Sequence, residues 1–159
     1  MLTLNFLLMF FLQAPQTPAV LPTPASAGQT VIVGLDGGTK VTVENPEFAG
    51  FIEGRNGDAV LIYRERKFHG EMPVKTISRI EFGPYKKGQP FPMKVTLRNG
   101  GQLEVESERR DFVSIKGRTD FGIVTIKHPD PVSVPLKLSV QKPNRQNDLT
   151  IQYLEFPAS

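Results

Sequence analysis

Two arginines stand at matching places in this chain. Arg55 ends Ile52-x-Gly54-Arg55, and Arg118 ends Ile115-x-Gly117-Arg118, 63 positions later. A guanidinium offers a planar fork of donors that fits a carboxylate or phosphate bidentately, so a pair at equivalent turns can clamp a small anion or ligand. The plainer reading is that each glycine makes a turn and each arginine is solvated beside it, because turns commonly carry exposed charge. His69 and His128 follow the fourth strand expected in each half, and carboxylates lie near both, Glu71 and Asp130 respectively. Zinc needs three or four convergent ligands, and nothing else here has ligand spacing, so both histidines are expected to be solvated in loops. There is no Gly-x-Ser-x-Gly elbow, phosphate-cradling glycine loop or His-Glu-x-x-His. The sequence therefore points to no catalytic residue, cofactor or metal, and an enzyme with a dispersed polar site stands as an alternative.

Cations gather loosely at Arg64, Arg66 and Lys67, at Lys86 and Lys87, and at Arg109 and Arg110, with Phe68 and Tyr85 close to two of the groups. A single-strand nucleic-acid surface interleaves such cations with stacking aromatics. Here Glu104, Glu106 and Glu108 alternate along one strand and would repel phosphate, so nucleic acid is not expected as a partner. A flat sugar platform is equally ill served, with no Trp and three Tyr. Contact with another protein is the leading expectation, through loops on a rigid β scaffold. Arg66, Tyr85, Lys86 and Lys87 are the candidate contact residues, and the polar run from Gln141 to Asp148 is a further candidate loop.

The elements that must position these residues repeat. Val33-x-Leu35-x-x-Gly38-x-x-Val41-x-Val43-Glu44 returns as Val95-x-Leu97-x-x-Gly100-x-x-Leu103-x-Val105-Glu106, a displacement of 62. Met72-Pro73-Val74-Lys75 returns as Val134-Pro135-Leu136-Lys137, displaced by 62 again. Three blocks in one order, with a residue gained and lost between them, read as a duplicated unit with loop changes. Within each unit the apolar residues alternate as in half-buried strands, and Asp36-Gly37-Gly38 and Asn99-Gly100-Gly101 supply hairpin turns. Lys75 and Lys137, each two residues after a proline near a strand end, read as protection of a sheet edge. With 14 Pro and 14 Gly, long helices are not expected.

Five to six short strands per unit match a small barrel. The Leu35-x-x-Gly38 opening and the later Pro73-Val74-Lys75-x-Ile77-x-x-Ile80 resemble the SH3-like and Sm-like class, at the level of fold. The resemblance implies an all-β protein of two such barrels packed together, over residues 28–84 and 92–159, with 85–91 as linker. A single continuous β-sandwich is the rival architecture.

The first 27 residues carry no charge, are mostly apolar from Leu2 to Leu12, and end in Ala25-Ser26-Ala27. That pattern is expected to be a signal peptide cleaved after Ala27, directing the protein to the periplasm, cell envelope or exterior. The apolar run is about half the ~20 residues of a membrane span, so no stable transmembrane segment is expected. Without the first 27 of its 159 residues the chain keeps 132, enough for one domain or two small ones. There is no cysteine, so no disulfide staples the fold and stability must come from the core. A net charge of +3, with both signs interspersed, is too small to argue for a polyanion partner.

Overall fold

Alternating apolar residues make strands here, and residues tolerant of positive φ end them. In the computed structural model, which describes residues 29–55, 57–86, 88–108, 112–128 and 150–158, the chain opens with β1 (Thr30–Leu35) and β2 (Lys40–Gly50). Val31 and Val33 sit opposite Val43 and Val41, and all four are buried. One face of each strand is core and the other solvent, as a side-chain period of two requires. Gly37 and Gly38 turn the chain between them at φ of 74° and 81°, which a side chain would resist.

β3 (Ile52–Arg55) and β4 (Asp58–Glu65) make a second hairpin, and β5 (Phe68–Pro73) folds back along β4. A 3-10 turn, Val74–Thr76, leads to β6 (Ile77–Phe82). Then come β7 (Pro92–Leu97), β8 (Gln102–Ser107), β9 (Val113–Thr119), β10 (Gly122–His128) and β11 (Ile151–Glu155). The strand order is β10-β9-β2-β1-β11-β6-β7-β8-β4-β3, with β5 on β4. The protein is all-β, one antiparallel sheet curled into a half-barrel.

Separate barrels were the expectation from the sequence, but the strands of the two halves interleave. β11 lies between β1 and β6, β9 joins β2, and β8 joins β4. Residues 85–91 connect β6 to β7, which are themselves paired with Phe82 opposite Met93, so the boundary between halves runs inside the sheet. A unit of this size buries limited surface alone, and interleaving lets both halves share one core.

Phe51 joins the arms of the curled sheet. Its N–H donates to the Phe112 carbonyl at 3.2 Å, and its own carbonyl accepts from the Ile62 N–H at 2.8 Å. The Phe51 ring is fully buried, 6.1 Å from Phe82 edge to face and 5.7 Å from Phe91. Gly50 precedes it at φ 104°, where a Cβ would stand 1.7 Å from the Phe112 carbonyl oxygen. The close approach of β2 to the chain entering β9 therefore demands glycine.

Lys75 falls in the 3-10 turn rather than on a strand, and its ammonium donates to Asp58 at 3.2 Å. Residues 1–27, Lys87, Arg109, Arg110, Lys137 and the 141–148 run lie outside the described residues. Among the described residues no helix is long and apolar enough to cross a membrane.

Candidate functional site

The β4–β5 hairpin carries the first expected contact residue. Glu65 and Phe68 close the ladder, and Arg66 makes the turn at φ 51°. A non-glycine residue there is uncommon, and it ends β4 as a straight strand. β4 pairs with β8 near its end, Tyr63 opposite Ser107 and Arg64 opposite Glu106, with the Ile62 carbonyl accepting from the Glu108 N–H at 3.5 Å. Beyond Arg64 the two strands part and leave an open groove of about 900 Å³. Arg64, Glu65 and Arg66 line one side, Gln102 to Glu106 of β8 and Met93 and Lys94 of β7 line it further across the sheet, and Gly83, Pro84 and Pro92 complete the lining. Arg64 donates to Glu106 at 2.8 Å, pinning the narrow end. Phe68, at the hairpin tip, is 75% exposed.

Pro84 also borders a second cavity, of about 400 Å³. Tyr85 lines it, half exposed and stacked on Phe91 with centroids 5.4 Å apart. Lys86 follows, exposed. Across from them stand His128 at the end of β10 and Thr150 and Gln152 at the start of β11. The Asp36 carboxylate accepts the Thr150 N–H at 3.2 Å, and also the Thr150 hydroxyl and the Gln152 amide. This knot ties the turn after β1 to β11.

His128 was expected to be solvated, yet it is 3% exposed. β10 continues its alternation to its last residue, so His128 shares the inward face of Ile126 and packs between Phe82, at 4.7 Å, and Phe91, at 4.8 Å. Among the described residues neither ring nitrogen has a hydrogen-bond partner. Burial pushes its pKa down to about 4, with the nearby Asp36 carboxylate opposing weakly, so the ring is neutral near pH 7. The period-two pattern Val124, Ile126, His128 was the available signal for this burial. His69, by contrast, is exposed on β5 and pairs through Nδ1 with Glu108.

The paired arginines are set apart in the fold. Arg55 ends β3, opposite Asp58, whereas Arg118 lies inside β9, between Glu44 of β2 and Ile123 of β10. The hairpin turns are shorter than the sequence suggested, so Gly117-Arg118 belongs to a strand. Gly117 is required by crowding, since a Cβ would stand 2.5 Å from Val43 and 2.7 Å from the Glu44 carbonyl. Arg55 is already held by two carboxylates, donating to Glu53 at 2.7 Å and to Glu71. Those bonds, Glu53's first, raise its pKa above the ordinary guanidinium value. Its charge is thus occupied within the β3–β4–β5 corner.

Among the described residues no group of three or more His, Cys, Asp or Glu is placed to hold a metal ion. No protein family, curated protein or solved structure matches the chain.

Proposed function

We propose that this protein is an exported, non-enzymatic β module that works by binding a polypeptide partner along the groove between the β4–β5 hairpin and β8. The groove itself carries the reading. It is open and bordered by a strand edge that pairs on its other side only, among the described residues, at Gln102 to Val105. An exposed edge offers main-chain donors and acceptors to an added strand. Phe68, at the tip of the β4–β5 hairpin next to Arg66, and Tyr85, next to Pro84 and Lys86, supply exposed apolar contact area. Export rests on the uncharged, apolar amino-terminal 27 residues and their Ala-Ser-Ala ending.

A photo-crosslinking residue placed at position 68 or 85 should capture the same protein in native cells, and one at Thr42 on β2 should not. Random capture at all three positions overturns the reading. Mass spectrometry of the protein from fractionated cells should show a chain beginning at Gly28 outside the cytoplasm.

The two halves are read as a duplicated SH3-like or Sm-like unit that has exchanged strands. Two features support this. Pairs in the β1–β2 hairpin, Val31 with Val43 and Val33 with Val41, recur in β7–β8 as Met93 with Val105 and Val95 with Leu103, each residue displaced by 62. The strand order is also near-symmetric about the β6–β11 pair, with β1 and β2 on one side and β7 and β8 on the other.

A further inference from the structure

We infer that the segment bound along the groove adds to the free edge of β8 as an antiparallel strand, with a lysine or arginine opposite Glu104 and an apolar residue on either side of it. The inference rests on the proposed partner groove and names the chemistry of what lies in it.

The main chain of β8 selects Glu104. In an antiparallel strand the N–H and C=O of successive residues turn alternately to the two neighbouring strands. The Ser107 N–H donates to the Phe91 carbonyl at 2.9 Å, where the chain enters β7, and the Glu108 N–H donates to the Ile62 carbonyl of β4 at 3.5 Å. Counted back in steps of two, Leu103 and Val105 turn to β7, while Glu104 and Glu106 turn to the β4 side. Glu106 meets Arg64 there. Continuing that register would bring Arg66 opposite Glu104, but Arg66 takes a φ of 51° and β4 ends at Glu65. The main-chain donor and acceptor of Glu104 therefore face the groove with no strand beside them among the described residues.

The side chains fix what the added strand carries. Alternation puts Gln102, Glu104 and Glu106 on the exposed face, with Val105 buried and Leu103 half-buried on the other. The protein already shows what suits Glu106, because Arg64 stands opposite it and donates to its carboxylate at 2.8 Å. Glu104 is one step further along the same line. Lys94 lies opposite it on β7, yet among the described residues the Glu104 carboxylate makes no ion pair. A cation on the groove side completes a cross-strand pair of opposite charge, and its two neighbours fall beside Leu103 and Val105, where apolar side chains extend the buried face. A second copy of the chain is the poorer occupant. Two β8 edges paired antiparallel about Glu104 would set one Glu104 carboxylate against the other, and like charges directly opposite are destabilising.

The test uses the full chain with nitrogen-labelled amides and two capped peptides, Thr-Val-Arg-Val-Thr and Thr-Val-Glu-Val-Thr, at low salt. The arginine peptide should shift the Glu104 amide saturably and bind about fivefold more tightly than the glutamate peptide, the scale of an opposite-charge cross-strand pair against a like-charge one. In Glu104→Lys, which should stay folded by its thermal transition, the order of the two peptides should reverse. Equal binding, binding of neither, shifts confined to residues away from β8, or an unreversed order would overturn the inference. A dimer whose β8 edge is closed to both peptides would assign that edge to a second copy instead. The crosslinks in native cells separate this inference from the groove beneath it. Specific capture at positions 68 and 85 that keeps its full yield in Glu104→Lys would remove the basic strand and leave the groove. Random capture by the wild type would remove both.

Discussion

The imidazole of His128 lies against the ring of Phe82 with centroids 4.7 Å apart and planes 20° from parallel. A histidine in that setting is held neutral by its surroundings, and this links folding to pH. An unfolded histidine titrates near 6.5, and in the fold the value is about 4. Between those values only the unfolded chain takes the proton. The contribution is therefore fully present above pH 6.5 and is lost as pH falls toward about 4. The full difference corresponds to about 3 kcal/mol. Urea unfolding of the wild type and His128→Phe across pH 7.5 to 4 should show that the variant lacks this part of the acid loss. Parallel pH curves for the two proteins would contradict the burial of a neutral ring.

Glycines of this chain should differ sharply in what alanine does to them. Gly50→Ala meets both a φ of 104° and the Phe112 carbonyl at 1.7 Å, so it should destabilise by at least about 3 kcal/mol or prevent folding. Gly100→Ala has a φ of 87° but open space around the added Cβ, and should lose about 1 kcal/mol. Denaturant midpoints of the two variants decide the matter, and similar losses would mean that the Gly50 approach is looser than described.

Residues 28–84 should not fold alone. That piece lacks β11, which separates β1 from β6, and β9, which covers β2. Its isolated spectrum should show poor amide dispersion, and mixing with residues 85–159 should restore native dispersion. A folded, cooperative 28–84 fragment would show that the first half closes its own core.

Added phosphate should leave the melting temperature unchanged beyond the effect of ionic strength. Arg55 is occupied by Glu53 and Glu71, and Arg118 sits on another hairpin. Arg55→Ala and Arg118→Ala should both behave like the wild type in that titration. A phosphate-dependent rise in the wild type, abolished by either substitution, would instead establish an anion site.

Much of the local structure could be read from the residues. Alternation at Val31, Val33, Val41 and Val43 requires strands with one buried face, and glycines at 37, 38 and 100 mark turns through their positive φ. These are short-range constraints, written in neighbouring residues. The candidate site was less legible. Arg66 and Tyr85 were found as charged or aromatic residues between strands, and the fold sets each at a concave surface that Pro84 also borders. His128 was missed because a strand's last residue can point to loop or core, and the choice depends on rings from β6 and the β6–β7 connection.

Period, turns and the internal likeness of the two halves were thus set by residue order alone. Strand order was not, because any β edge offers the same donors and acceptors to any other. Burial across the whole sheet selected the partners, placing β11 between β1 and β6 and closing the arms at Phe51. The groove and the cavity beside His128 exist only as consequences of that selection.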